Sequence, residues 1–264
     1  MTDISLWTPN DNGEGVDMRN KQHFTGINYT YRFNDNARLE NRISYQTFNA
    51  KMDVDMISYM NKSTERNIEA IPQESMLNLG DDYNNSWDHI FVNKGIGYNY
   101  GVEFTLEKFF DKRFYFLLTT TLYDSKYKGY DGVRRDTKFN GNFALNFLGG
   151  YEIKISQHSL ISFNLKTAYM GNKRYTPTIS DNGFDMERDY ANINSIKLPY
   201  YFRTDINVNV KTNFKRVSVE YFFEIDNLTN RKNVWRRYFD ANQNQDRYTY
   251  QQNLTPMGGV KVYF

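Results

Sequence analysis

Residues 203–211 read RTDINVNVK, with Arg203, Asp205, Asn207, Asn209 and Lys211 on one parity and Thr204, Ile206, Val208 and Val210 on the other. Period-two alternation of this kind predicts a β-strand with one polar and one apolar face. The pattern recurs in pairs along the chain. FTGINYTYRF (24–33) precedes RLENRISYQTF (38–48), YNYGVEFTLEKFF (98–110) precedes FYFLLTTTLY (114–123), and GNFALNFLGGYEI (141–153) precedes SLISFNLKTAYM (159–170). The opening stretch pairs with VSVEYFFEIDN (217–227), and MGGVKVYF (257–264) stands last. These stretches make about nine strands, an all-β fold, with tight turns inside each pair.

The connections between pairs are long: 49–90, 124–138, 171–199 and 228–247, rich in Asn, Asp, Tyr and Gly. Strict alternation of short and long connections puts all tight turns at one end of an antiparallel up-and-down sheet and all long loops at the other. Transmembrane β-barrels have this asymmetry, with short periplasmic turns and long extracellular loops. Residues 1–21 read as an extracellular loop or irregular segment, and 22–264 as the barrel portion. An odd count of nine that ends on the turn side begins on the loop side, so the stretch reads as the C-terminal portion of a larger, even-stranded barrel.

Which way the apolar face looks is not settled by period two, because a soluble sandwich or a lipocalin-like barrel alternates as well. Bulky aromatics near strand ends favour lipid: Phe109, Phe110 and Phe114 sit around one tight turn, and Tyr123, Tyr127 and Tyr130 near the opposite loop. Interfacial girdles are built this way. On this reading Thr204, Ile206, Val208 and Val210 face lipid.

Composition agrees with a β-rich chain. Aromatic residues are 17% of the 264, with 22 Tyr and 20 Phe, types that suit pleated surfaces and membrane interfaces. Mean hydropathy is -0.76 and no apolar run approaches the length of a membrane helix. A net charge of +2 gives no long-range reason to expect nucleic acid. There is no cysteine, which removes disulfides and thiolate metal sites. The N-terminal MTDISLWTPNDNGEG lacks the basic and apolar regions of a secretory signal. It suits either a cytosolic chain or a piece whose export signal lies elsewhere.

Candidate chemistry is sparse. His23, His89 and His158 are far apart and lack metal-ligand spacing. GIGYNYG (95–101) lies inside an alternating strand, so its glycines read as bend or small lumen residues rather than a phosphate loop. Asp81 and Asp82 lack a second acidic cluster, and no GxSxG or comparable nucleophile arrangement is present. No metal, cofactor or enzymatic activity is expected. Ligand contacts are expected from flat amphipathic side chains in the long loops, Tyr59, Tyr83, Trp87, Tyr130 and Tyr175, the alternative being an outer aromatic belt.

Several stretches carry a resemblance: VNKGIGYNYGVEFTLEKFF (92–110), LYDSKYKGYDGVRRDTKFNGNFALNFLGGYE (122–152), KRYTP (173–177), LPYYFRTDINVNVK (198–211) and FEIDNLTNRKNVW (223–235). From about residue 22 onward the chain resembles the C-terminal half of the β-barrel of TonB-dependent outer-membrane receptors, the type with an N-terminal carboxypeptidase-regulatory-like domain. DNLTNRKN (226–233) looks like the family's asparagine-containing turn after a late strand. Val260, Val262 and terminal Phe264 look like the signal read by the barrel-assembly machinery.

The resemblance implies energised uptake of a scarce ligand (iron chelate, cobalamin, glycan or peptide) across the outer membrane of a Gram-negative bacterium. It implies outer-membrane lipid, the rest of the receptor with its plug, TonB and a surface lipoprotein as partners. Plug and TonB box are absent from this stretch. A passive outer-membrane channel, an adhesin barrel and a soluble carbohydrate-binding module remain the competing readings.

Overall fold

The computed structural model describes residues 2–9, 15–54, 95–129, 131–181 and 186–264. The chain is all-β and antiparallel, and one turn of 3-10 helix (Tyr190–Asn192) is the only helical segment among the described residues. The strands are β1 (Thr2–Pro9), β2 (Gly15–Asn34), β3 (Ala37–Val54), β4 (Ile96–Asp111), β5 (Phe114–Lys128) and β6 (Arg134–Asp136). They continue with β7 (Phe143–Lys154), β8 (Ser159–Met170), β9 (Arg174–Tyr175), β10 (Thr178–Asp181), β11 (Met186–Arg188) and β12 (Ile196–Lys197). The last are β13 (Tyr201–Asn213), β14 (Ser218–Asp226), β15 (Val234–Asp240), β16 (Gln245–Tyr250) and β17 (Thr255–Tyr263).

One large sheet runs β1-β2-β3-β4-β5-β7-β8-β13-β14-β17, with β6 as a short addition to β5. All nine expected strands are present and pair with their chain neighbours. The tenth is β1, which pairs with β2 from Thr2↔Gln22 to Pro9↔Gly15. Residues 2–9 and 15–21 are therefore strand rather than the irregular segment expected, and with ten strands along the path the odd-count parity argument no longer holds. The alternation of Ile4 and Leu6 in TDISLWTP is broken by adjacent Trp7 and stopped by Pro9, too short a run to announce a strand; pairing against the long β2 makes one. Among the described residues the sheet is open, with β1 and β17 as its two ends, which do not pair with each other.

Short connections behave as hairpins. Lys112 and Arg113 join β4 to β5 with φ of 50° and 77°, both left-handed as a two-residue primed turn requires. Phe214 donates to the Val217 carbonyl (2.8 Å) and Ile155 to that of Ser159 (3.0 Å), closing the turns before β14 and β8.

Register carries the alternation across the sheet. Ile27, Ile43, Val102, Leu122 and Phe143 face one another in one row. Ile153, Ile161, Val210, Tyr221 and Val260 make another. The opposite face holds Arg42 against Glu103, Lys166 against Asp205, and Lys211 beside Glu220 beside Lys261.

Apolar side chains are exposed along one face, and the polar face mixes shielded carboxylates with exposed pairs such as Arg42 (52%) and Glu103 (46%). Ile27 is 72% exposed, Ile43 58% and Val260 56%, while the Asp205 side chain is 13% exposed and that of Glu220 16%. Among the described residues the buried apolar side chains are Tyr127, Ile193 and Val234, all at the long-connection end. Among the described residues no element packs the apolar face into a core.

Candidate functional site at the long-connection end

The long connections form their own small sheets, β10 with β11, β9 with β12 and β15 with β16, and interlock above the main sheet. Three excursions take part: 129–142, 171–200 and 227–254.

The first is organised by Asn140, which is fully buried. Its amide nitrogen donates to Asp124 Oδ1 (2.7 Å) and Asp136 Oδ1 (2.6 Å). Its side-chain oxygen accepts from the Ser125 amide (3.1 Å) and Asn142 Nδ2 (3.0 Å). An amide can do this because it carries donor and acceptor on one planar group. Farther out, Arg135 holds the Asp131 carboxyl below the usual range, chiefly through its hydrogen bond, at 2.8 Å in the ion pair.

The second excursion lies against the first. Arg174 pairs with Asp136 (3.4 Å) and donates to the Asn140 carbonyl (3.1 Å), and Asn194, itself buried, donates to the Asp136 carbonyl (3.0 Å). Lys197 Nζ reaches Asn142 Oδ1 (2.6 Å) and the Gly141 carbonyl (3.3 Å); burial, then the positive charge of Arg174, pushes this lysine below its ordinary range. Gly171 and Gly141 touch backbone to backbone, and a Cβ on Gly171 would run into the Gly141 carbonyl. Only glycine permits that approach.

The third begins with DNLTNRKN. Asn227, 1% exposed and at φ 49°, donates to the Arg231 (3.0 Å) and Gln252 (3.1 Å) carbonyls and accepts from the Arg231 amide (3.2 Å). Asn230 Oδ1 accepts from the Leu254 amide (3.0 Å). The Asn233 amide pairs with Phe202 as a strand would, accepting from its N–H (3.0 Å) and donating to its carbonyl (2.8 Å). Three asparagines at spacing three thus substitute for backbone partners and fasten this excursion to β13 and to the segment that leads into β17. Beneath them Arg203 bridges Asp205 (2.7 Å) and Asp226 (2.8 Å), and Asp205 Oδ1 also accepts from the Asn227 amide (2.8 Å).

Tyr175 joins the second and third excursions. Its hydroxyl donates to Asp246 Oδ2 (2.9 Å) and lies 3.2 Å from the Tyr248 hydroxyl. The Arg237 guanidinium sits 4.3 Å from its ring centroid and pairs with Asp246. Burial, with Tyr248 and Asp246 adding to it, pushes the Tyr175 phenol far above the ordinary tyrosine range. Of the five aromatics expected to contact ligand, Tyr175 is thus engaged inside the assembly. Tyr59, Tyr83, Trp87 and Tyr130 lie outside the described residues, as do His89, Asp81 and Asp82.

The remaining expected residues fall as follows. Ile206, Val208 and Val210 stand between β8 and β14, Val208 facing Phe163 and Phe223. Thr204 shares their face and approaches the Thr167 hydroxyl (3.2 Å). Val260 and Val262 face Tyr221 and Val219, and Phe264 is fully exposed. His23 is exposed beside the Thr25 hydroxyl (3.2 Å), and His158 lies in the turn before β8. Among the described residues no group of three His, Asp or Glu is placed to hold a metal.

Sequence reasoning missed Asn140, Asn233 and the Arg203 bridge. It also missed Trp235, 73% exposed at the register shift between Val234 and Arg236, where a bulge re-aims a side chain. Chemically the assembly offers hydrogen-bonding amides and exposed rings above a polar sheet face.

No protein-family model and no curated protein matches this chain.

Proposed function

We propose that the chain is the barrel-forming portion of a TonB-dependent outer-membrane receptor, working in energised uptake of a scarce ligand. The carrying observation is the apolar face of the sheet: large apolar side chains stand exposed along one side, while ion pairs and amides gather on the other. In water a contiguous apolar surface of this extent has no favourable partner, whereas lipid supplies one and a hydrated lumen solvates the polar face. The alternation of tight turns and long excursions supports the same reading, as does the resemblance of the DNLTNRKN and C-terminal segments. On this reading the open edges at β1 and β17 meet further strands of the receptor, and the plug, TonB coupling and part of the ligand site reside there. The long-connection end faces outward and the tight turns face the periplasm.

The test is to express the full chain and compare buffer with detergent, using circular dichroism and heat-modified gel mobility. β structure gained only in detergent or bilayers is expected. A monodisperse β-sheet protein in buffer alone would sink the membrane reading and favour a soluble β-rich binding module.

A further inference from the structure

We infer that the long-connection rim of the apolar face is a phosphate-recognition band for anionic lipid headgroups. The inference rests on the membrane reading and goes beyond it. At this rim the apolar face ends in packed rings: Tyr169 lies 4.9 Å from Phe143, 5.3 Å from Tyr200 and 6.0 Å from Phe202, centroid to centroid. Tyr98 continues the same parity on β4, between Ile96 and Tyr100.

Cations are laid over rings at this end. The Arg231 guanidinium stacks 3.8 Å from the Tyr200 centroid and donates to the Tyr200 carbonyl (3.1 Å). Arg134 sits 5.4 Å from Tyr98, and Lys232 lies 5.9 Å from Tyr250. Stacking of this kind orients a cation without neutralising it.

Among the described residues their charge has no carboxylate partner. On the polar face Arg38, Arg42 and Arg203 are each paired with a carboxylate. No carboxylate among the described residues lies within ion-pair distance of Arg134, Arg231 or Lys232. The pattern is an aromatic belt for the acyl–headgroup boundary with oriented positive charge on its outer side. An anionic headgroup phosphate complements both parts: its oxygens take guanidinium and ammonium hydrogen bonds, and its chains continue along the apolar face. A soluble anion would use the charge and leave the continuity with that face unexplained.

The test uses the full chain in zwitterionic micelles, offered phosphatidic acid and phosphatidylcholine of identical chains, with bound lipid read by native mass spectrometry. The wild type is expected to retain phosphatidic acid preferentially. The preference should fall about fivefold for each rim cation removed, the loss a surface cation near an anionic membrane implies, and be abolished in Arg134→Gln/Arg231→Gln/Lys232→Gln. Lys112→Gln/Arg113→Gln/Arg216→Gln, three cations of the tight-turn end, should keep most of it; an equal loss there overturns the rim assignment. Lys232→Gln alone, an exposed change, reads the effect should the triple variant fail to fold. A folded chain that holds both lipids equally overturns this inference and leaves the membrane reading standing. A chain that folds in buffer and takes up no detergent overturns both.

Discussion

The main sheet and the assembly at its long-connection end solve opposite problems with the same chain. In the sheet, backbone ladders satisfy the peptide groups while apolar side chains such as Ile27, Ile43 and Val260 remain exposed. In the assembly short strands alternate with irregular segments, and the buried side chains on the latter include Thr137, Asn140, Asn194, Asn227 and Asn233. The sheet leaves apolar surface to be covered from outside; the assembly covers its own backbone with amides. Irregular backbone cannot be buried without partners, and asparagine supplies a peptide-like donor and acceptor at the reach of one side chain.

The largest effect that would break the comparison comes from the middle of the apolar face. Val208→Lys should destabilise the chain in a bilayer by about 2–4 kcal/mol, read as the shift in urea unfolding from lipid vesicles. Asn207→Lys, one residue away on the other face, should be far milder. Equal effects at the two positions would mean that the apolar face does not meet lipid. Within the assembly, Gly171→Ala forces Gly141 away and should cost about 3 kcal/mol, the upper part of the overpacking range. Its signature is loosened packing of 134–142 against 171–175 by hydrogen exchange, with the main sheet protected as before.

A step smaller is Asn227→Ala, which leaves the Arg231 and Gln252 carbonyls and the Arg231 amide without their partner. The expected loss is about 2 kcal/mol, in keeping with buried polar groups left unsatisfied. Thr167→Ala, which removes a hydroxyl contact of the sheet (3.2 Å to Thr204), should cost well under half as much. A ratio near one would show that the amide latch is no more demanding than an ordinary side-chain contact.

How much of this was legible followed the same division. Period two is imposed by strand geometry, so RTDINVNVK and its eight companions announced themselves. The strand β1 did not, because in TDISLWTP the Ile4–Leu6 alternation is broken by adjacent Trp7 and stopped by Pro9, and the strand depends on its partner β2. Nor was Asn140 legible: apart from Val133 and Phe139, GVRRDTKFNGN is polar or glycine, and nothing local marks which amide is buried. DNLTNRKN was recognisable as a turn, yet its physical content, three side chains replacing backbone partners, needs the positions of Phe202, Gln252 and Leu254. Tyr175 shows the limit from the other side. An aromatic in a long loop reads as a contact surface, and only Arg237, Asp246 and Tyr248, more than sixty residues on, turn it inward.

The smallest effect sharpens the comparison by pH. The Tyr175 phenol is held far above its ordinary value near 10, first by burial and then by Tyr248 and Asp246. In the folded assembly it stays protonated when the same group in an opened chain has begun to ionise. Its contribution is therefore fully present below pH 10 and is lost as pH rises past that point, because ionisation then favours the opened state. Hydrogen exchange at the amides of 234–250 should accelerate above pH 10 beyond the intrinsic rise, while the β7–β8 ladder keeps its protection. Tyr175→Phe has no proton to lose: it should be weaker by about 1 kcal/mol at neutral pH, the worth of the lost hydrogen bonds, and show no such alkaline opening. If the variant opens over the same pH range as the wild type, another group carries the alkaline limb, and Tyr175 is packed into the assembly without linking its stability to pH.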